Sequence, residues 1–248
     1  MPTAARMRTS HGLAFKLALF ILTSAMAIFT AAFAYYSHAS KELLLSGVRE
    51  NARNLLRGAV ARLEIHLAGV EQIPRYMGET LGQDTPSREI LERRLRDFLL
   101  ANPDIYGAAA AYAPGAFSPQ LPRFSPYFCR KGGEVRRVSL GYEDHYDLEN
   151  WYLVPKEMGR PMWSEPYFDE SGGDIVMSTY SVPFFRTEGS KRTFLGVVTA
   201  DISLDWLRRQ VGAVAMYHSG YAFLLSRNGV FVSHPDNRLI MRESIFSL

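Results

Sequence analysis

Cysteine occurs once in the 248-residue chain, at Cys129. One thiol permits no internal disulfide and cannot build a cysteine-rich zinc or iron–sulfur site. Acidic residues are missing before Glu42, and no charge of either sign falls between Lys16 and Lys41. Over the whole chain 28 Lys and Arg face 25 Asp and Glu, and Arg6, Arg8 and Lys16 account for the full excess of three. From residue 37 onward the chain is therefore neutral. A nucleic-acid binder carries its excess charge on the folded part, where it neutralises phosphates, so nucleic acid is not an expected partner. Catalytic motifs are also missing: there is no P-loop, HExxH, GxSxG, GxGxxG or CxxC. His11, His38, His66, His145, His218 and His234 never stand four residues apart, so structural or surface roles suit them better than metal ligation. Ser233-His234-Pro235-Asp236 resembles a fragment of a triad, but triads are assembled in space, and the setting reads as a turn. No catalytic residue, metal or cofactor is called for, and no internal repeat is present. With 47% apolar residues, global disorder is excluded.

What is present begins with a long apolar run. Residues 17–36, LALFILTSAMAIFTAAFAYY, hold no charge. Twenty helical residues at ~1.5 Å each span a bilayer core of ~30 Å. Basic residues precede the run and Tyr35-Tyr36 close it. The positive-inside rule then gives a cytoplasmic tail over 1–16, a plasma-membrane span over 17–36 and an extracytoplasmic remainder over 37–248. A signal peptide cleaved after Ala32-Phe33-Ala34 is the competing reading; the run is longer than the ~7–15 residues of a signal core. Both readings export the rest of the chain.

Leu45, Val48, Ala52, Leu55 and Ala59 recur at three and four, and Leu56, Val60, Leu63, Leu67, Val70 and Met77 continue the stripe. That pattern predicts one long amphipathic signalling helix over 37–82, kinked at Pro74, running on from the span and offering a face for a homodimer. Thr85-Pro86-Ser87 reads as the start of a second helix that ends at Asn102-Pro103. Beyond it the period shortens. Strands are expected over 105–112, 124–130 and 134–140, with a hairpin at Lys131-Gly132-Gly133. A second pair is expected over 175–185 and 193–202, joined by a loop over 186–192. A short helix over 204–211 follows, then a hairpin around Asn228-Gly229. The fold class is α+β: an antiparallel sheet decorated by helices over 83–211, with 212–248 expected as the incomplete opening of a second module, since two strands alone are marginal.

Residues 142–170 are the dense region. Tyr142, Tyr146, Trp151, Tyr152, Trp163, Tyr167 and Phe168 alternate with Glu143, Asp144, Asp147, Glu149, Glu165, Asp169 and Glu170. Aromatic faces attract a small organic cation and carboxylates accept its N–H bonds. Trp163 and Phe168 are expected in the core instead.

The apolar span, the long helix, the WY…PY.D segment, VMSTYSVPFF, GVVTADISLDWL and GYAFLLSRNGVFVSHPD together resemble the double Cache (dCache) sensor domains of bacterial membrane signalling proteins. The resemblance implies two stacked PAS-like modules, a ligand in the distal one, and an effector beyond a second span. It also implies a ligand motif: Arg-x-Trp-Tyr, then Tyr-x-Asp, then an Asp ending a later strand. Trp151 and Tyr152, Tyr167 and Asp169, and Asp201 fit those positions, whereas Glu149 stands where the Arg would clamp a carboxylate. A glutamate there repels a ligand carboxylate, which points to an amine or polyamine-like cation. Arg160 or Lys156 could replace the missing clamp. Two other classes remain open at this stage: an exported hydrolase using Glu149 and Asp169, and a structural stalk that binds nothing small.

Overall fold

The computed structural model describes residues 12–139, 145–170, 175–214, 216–217 and 219–248. Arg6, Arg8, His11, Leu140, Tyr142, Glu143, Asp144 and His218, named above, lie outside the described residues. The chain divides into two units, Met1–Asn54 and Leu55–Leu248.

The first unit is helical throughout its described part. It belongs to α1, Leu13–Gln83, a helix of 71 residues that also passes through Pro74. Thr23, Ser24 and Thr30 donate their hydroxyls to the carbonyls of Phe20, Ile21 and Met26, which hides the polar groups of the run before Tyr35-Tyr36. This is a helix long and apolar enough to cross a membrane, with a mean hydropathy of 2.2 over 18 residues and none of that window buried.

In the second unit the end of α1 and α2, Arg88–Ala101, cover one face of a seven-stranded antiparallel sheet. Ser87 caps α2 by accepting from the Ile90 amide, as the Thr-Pro-Ser start predicted. At the other end of α2, Arg130 donates to the carbonyls of Leu99, Asn102 and Ile105, placing a cation where the helix dipole is negative. The strands are β1 (Gly107–Tyr112), β2 (Tyr127–Lys131), β3 (Glu134–Val138), β4 (Met162–Trp163), β5 (Tyr167–Asp169), β6 (Ile175–Glu188) and β7 (Lys191–Ser203). Their order is β3-β2-β1-β7-β6-β4, with β5 also on β6. Gly132 and Gly133, both at positive φ, make the two-residue turn between β2 and β3. β1 is GAAAAY, buried along its whole length: a central strand of small side chains lets layers approach on both faces.

Alternation sorts the sheet residues. Ala108, Ala110, Tyr112, Phe184, Val198, Ala200 and Ile202 join Val70, Met77, Leu81, Leu91, Leu95 and Leu99 in the main core. Ala109, Ala111, Val197, Tyr127 and Cys129 belong to two smaller clusters on the opposite face, where α3, Asn150–Met158, packs through Trp151 and Tyr152.

Several expectations change. The loop expected over 186–192 is strand: β6 and β7 continue to Glu188 and Lys191, because Thr187 and Arg192 still pair, leaving a turn at Gly189-Ser190. Phe168 is 53% exposed, since it alternates with the inward Tyr167 and Asp169 on β5. Trp163 does pack against the core, and its indole N–H donates to Glu71 of α1 at 2.9 Å. After α4, Leu204–Gly212, the hairpin is shorter than expected: β8 is Leu224–Leu225 and β9 is Phe231–Ser233. Nor are its apolar residues left unpacked, because Val232 enters the main core and Leu224, Ile240 and Met241 lie against it.

Candidate functional site

β7 carries Val197, Thr199 and Asp201 on the face away from α1 and α2. Thr179 of β6 is the register partner of Asp201, and Ser181 that of Thr199. On the other side Gly107 of β1 stands opposite Asp201. Thr179 Oγ1 donates to Asp201 Oδ1 at 2.8 Å, and the Tyr167 hydroxyl lies 2.7 Å from the same Thr179 oxygen. Around Oδ2 the Tyr127 hydroxyl reaches over Gly107, beside the carboxylate but short of full hydrogen-bond geometry. Asp169 of β5 is 3% exposed and Asp201 2%, so two carboxylates are buried on one side of the sheet.

Electrostatics follow from that burial. Loss of water pushes the Asp201 carboxyl up to about 7; the bond from Thr179 and the nearby Tyr127 hydroxyl act against this, and the charge of Asp169 adds to it. Among the described residues, what acts on Asp201 is hydroxyls and a second carboxylate, with no ammonium or guanidinium. Burial raises the Tyr127 phenol well above its usual range and also raises the Cys129 thiol, which is therefore a poor nucleophile. Three further hydroxyl-bearing positions are informative: Tyr127 Oη, Tyr152 Oη and Ser181 Oγ are buried without a protein hydrogen-bond partner. Buried polar atoms in native proteins are as a rule satisfied; the Tyr112 and Tyr180 hydroxyls and Ser125 Oγ, away from this group, are unpartnered as well.

Five of the six residues singled out in the sequence come to this face. Trp151 and Tyr152 cross at right angles, and Tyr167 packs against their cluster, which ties the aromatic group to Thr179 and Asp201. Glu149 is at the N-cap of α3, half-buried, and its side chain does not bond the open amides of that helix. Neither proposed substitute for the missing Arg approaches Asp201. Lys156 Nζ lies 5.9 Å from the Phe194 ring centre and 3.9 Å from Glu157, and Arg160 is exposed. Tyr127, Thr179, Ser181 and Gly107 were not anticipated. Thr179 and Ser181 did leave a trace, within the run of hydroxyl residues Ser178-Thr179-Tyr180-Ser181 in β6. Among the described residues no group of three or more His, Cys, Asp or Glu could hold a metal ion.

The architecture is a helix-backed antiparallel sheet whose other face carries α3 and the group of hydroxyls and carboxylates around Asp201. Residues 91–209, just under half of the chain, match the family model described as methyl-accepting chemotaxis protein-like, first PDC sensor domain. The methyl-accepting chemotaxis protein PscA of Pseudomonas syringae is 33% identical over 131 residues, which cover 50% of this chain and 20% of PscA. The chain thus spans only a fraction of that relative. The extracellular domain of mmHK1S-Z2, described as a histidine kinase, superposes with a TM-score of 0.65 at 26% identity, over 75% of this chain and 73% of that one. The ligand-binding domain of the Pseudomonas aeruginosa chemoreceptor PctB, solved with L-Gln, has the same fold at a TM-score of 0.59 and 20% identity, over 77% and 69% of the two chains.

Proposed function

We propose that this chain is the extracytoplasmic input region of a transmembrane signalling protein and that its sheet face binds a small amine-type cation. Asp201 carries the reading: a buried carboxylate whose neighbours are hydroxyls and another carboxylate. An isolated buried charge is expensive, and a bound ammonium would relieve it. Asp169, Tyr167 and Thr179 complete the polar side, and Trp151 with Tyr152 line the apolar side. Residues 140–144 and 171–174, outside the described residues, contain no Lys or Arg, so the sequence offers no carboxylate clamp there. Occupancy would shift the populations of the sheet and the α1 segment packed on it.

A second reading, an α-amino acid ligand, draws support from the shared fold with the L-Gln-bound PctB domain. The hydrolase reading gains nothing from a family of sensor domains. A thermal-shift screen of amines against α-amino acids at pH 8 separates the first two readings. A ligand present at 100 times its Kd adds about 2.7 kcal/mol, a rise of roughly 5–10 °C for a unit of this size. Stabilisation by amines that Asp201→Asn abolishes supports the proposal; stabilisation by amino acids alone overturns it in favour of the second reading.

A further inference from the structure

Tyr127 belongs to no part of the ligand motif that the sequence resembles, yet the fold delivers its hydroxyl to the carboxylate on which the proposed function rests. The delivery depends on Gly107. A Cβ at that position would stand 2.2 Å from Tyr127 Oη and 2.7 Å from Asp201 Oδ2, so the hydroxyl and the carboxylate oxygen share the space above a bare Cα. Tyr127 is buried, and its hydroxyl has no protein partner at hydrogen-bond geometry. Oδ1 is already committed to Thr179 Oγ1 at 2.8 Å, and that oxygen is in turn 2.7 Å from Tyr167. Oδ2 and Tyr127 Oη are thus the acceptor pair left facing the site.

We propose that Tyr127 is a specificity-determining residue of this site, restricting it to cations that carry N–H bonds, primary ammonium above all. The proposal rests on the amine reading and deepens it. A primary ammonium has three donors in a fixed tripod. One satisfies Asp201 Oδ2 and a second the lone pairs of Tyr127 Oη, while the third points toward Asp169. A quaternary ammonium has no N–H, so it would leave the lone pairs of the buried Tyr127 Oη unbonded. Sites for quaternary cations are instead walled by several aromatic faces. Here the rings of Trp151 and Tyr152 are spent edge-on against each other, and Tyr152 likewise against Tyr146 and Phe194. The groups around Asp201 are Tyr106 beside β1, Tyr127 and Cys129 on β2, Tyr167 and Asp169 on β5, and Thr179 on β6. All are neutral or acidic near neutral pH, so replacing Tyr127 changes hydrogen bonding without removing a charge.

Calorimetry on the full chain at pH 8 tests this with two probes, butane-1,4-diamine and its N-permethylated bis-quaternary counterpart. Wild type should bind the diamine at least tenfold more tightly, and Tyr127→Phe should reduce the preference to threefold or less, chiefly by weakening the diamine. A merely structural role for Tyr127 would not produce a second expected change. In ligand-free protein the pH at which Asp201 ionises, followed by thermal stability of Tyr127→Phe against wild type, should move upward, because the hydroxyl favours the charged carboxylate. Equal binding of both probes to wild type overturns the proposal and leaves the amine reading standing. An unchanged preference in Tyr127→Phe does the same. Binding of neither probe, with α-amino acids bound instead, overturns the amine reading and the proposal with it.

Discussion

Asp201 is where burial, hydrogen bonding and like charge meet, and its titration is measurable. Its carboxyl sits at about 7 in the folded chain against about 3.9 in an unfolded one. Between those values the folded state holds a proton that the unfolded state has released, so stability falls as pH rises through roughly 4 to 7 and levels off above. The ligand-free wild type should therefore lose on the order of 2–3 kcal/mol between pH 5 and pH 8 relative to Asp201→Asn, read from denaturant unfolding at those two values. A cation favours the ionised carboxylate, which reverses the sign for binding. Amine affinity should climb by up to tenfold per pH unit below about 7 and then flatten. An affinity that is flat from pH 5.5 to 8 would mean that Asp201 is not the partner. Glu149→Arg supplies the clamp that the sequence lacks; weaker amine binding and new binding of α-amino acids, seen by calorimetry, are the expected outcome.

At the scale of elements, the site exists because short pieces are held against long ones. β4 and β5 have two and three residues, and neither would persist alone. They are fixed to β6 through Ser164, whose amide donates to the Thr179 carbonyl at 2.9 Å and whose hydroxyl accepts from the Thr179 amide at 3.0 Å. Trp163 ties the same edge to Glu71 of α1. The position of Tyr167 and Asp169 thus depends on how α1 lies on the sheet. Gly82 is the tightest point of that packing, since a Cβ there would come within 2.4 Å of the Phe185 carbonyl oxygen. Backbone on both sides cannot yield cheaply, so Gly82→Ala should destabilise the second unit by ~1–3 kcal/mol, measured by urea unfolding. A neutral or stabilising effect would show that α1 is free to shift.

For the whole molecule, the C-terminal segment matters most. Val232 lies in the main core together with Trp206 and Leu207 of α4. Limited proteolysis should therefore leave 224–233 as resistant as the sheet, and Val232→Ala should cost ~0.5–2 kcal/mol or more by methylene loss and cavity. Selective clipping between residues 212 and 220 with release of the hairpin would support a separate module. Membrane orientation is a proposal resting on Arg6, Arg8 and Lys16: reporters that work only in the cytoplasm should stay silent when fused at Lys41 or Ser190. Pairing of two copies through α1 is a further proposal, motivated by Leu45 at 44%, Val48 at 42% and Leu55 at 39% exposure on one heptad-spaced stripe. Replacing Leu45 and Val48 by Asp should shift the detergent-solubilised chain toward monomer in sedimentation.

Sequence alone determined whatever rests on period and local chemistry. The long helix follows from an uncharged run joined to a stripe at three and four, the start of α2 from Ser87, the β2–β3 turn from Gly132-Gly133, and the alternation of β7 from VVTADI. The resemblance to the dCache ligand motif also singled out Trp151, Tyr152, Tyr167, Asp169 and Asp201. Tertiary structure decided what depends on register between distant strands. Gly107, Tyr127 and Thr179 come from three strands and meet at Asp201 only because β2, β1, β7 and β6 are neighbours in that order. No local pattern encodes which strand lies beside which, since pairing is selected by the burial of a whole face. The docking of Val232 into the main core has the same origin. By contrast, the continuation of β6 and β7 through 186–192 is a local hairpin across Gly189-Ser190.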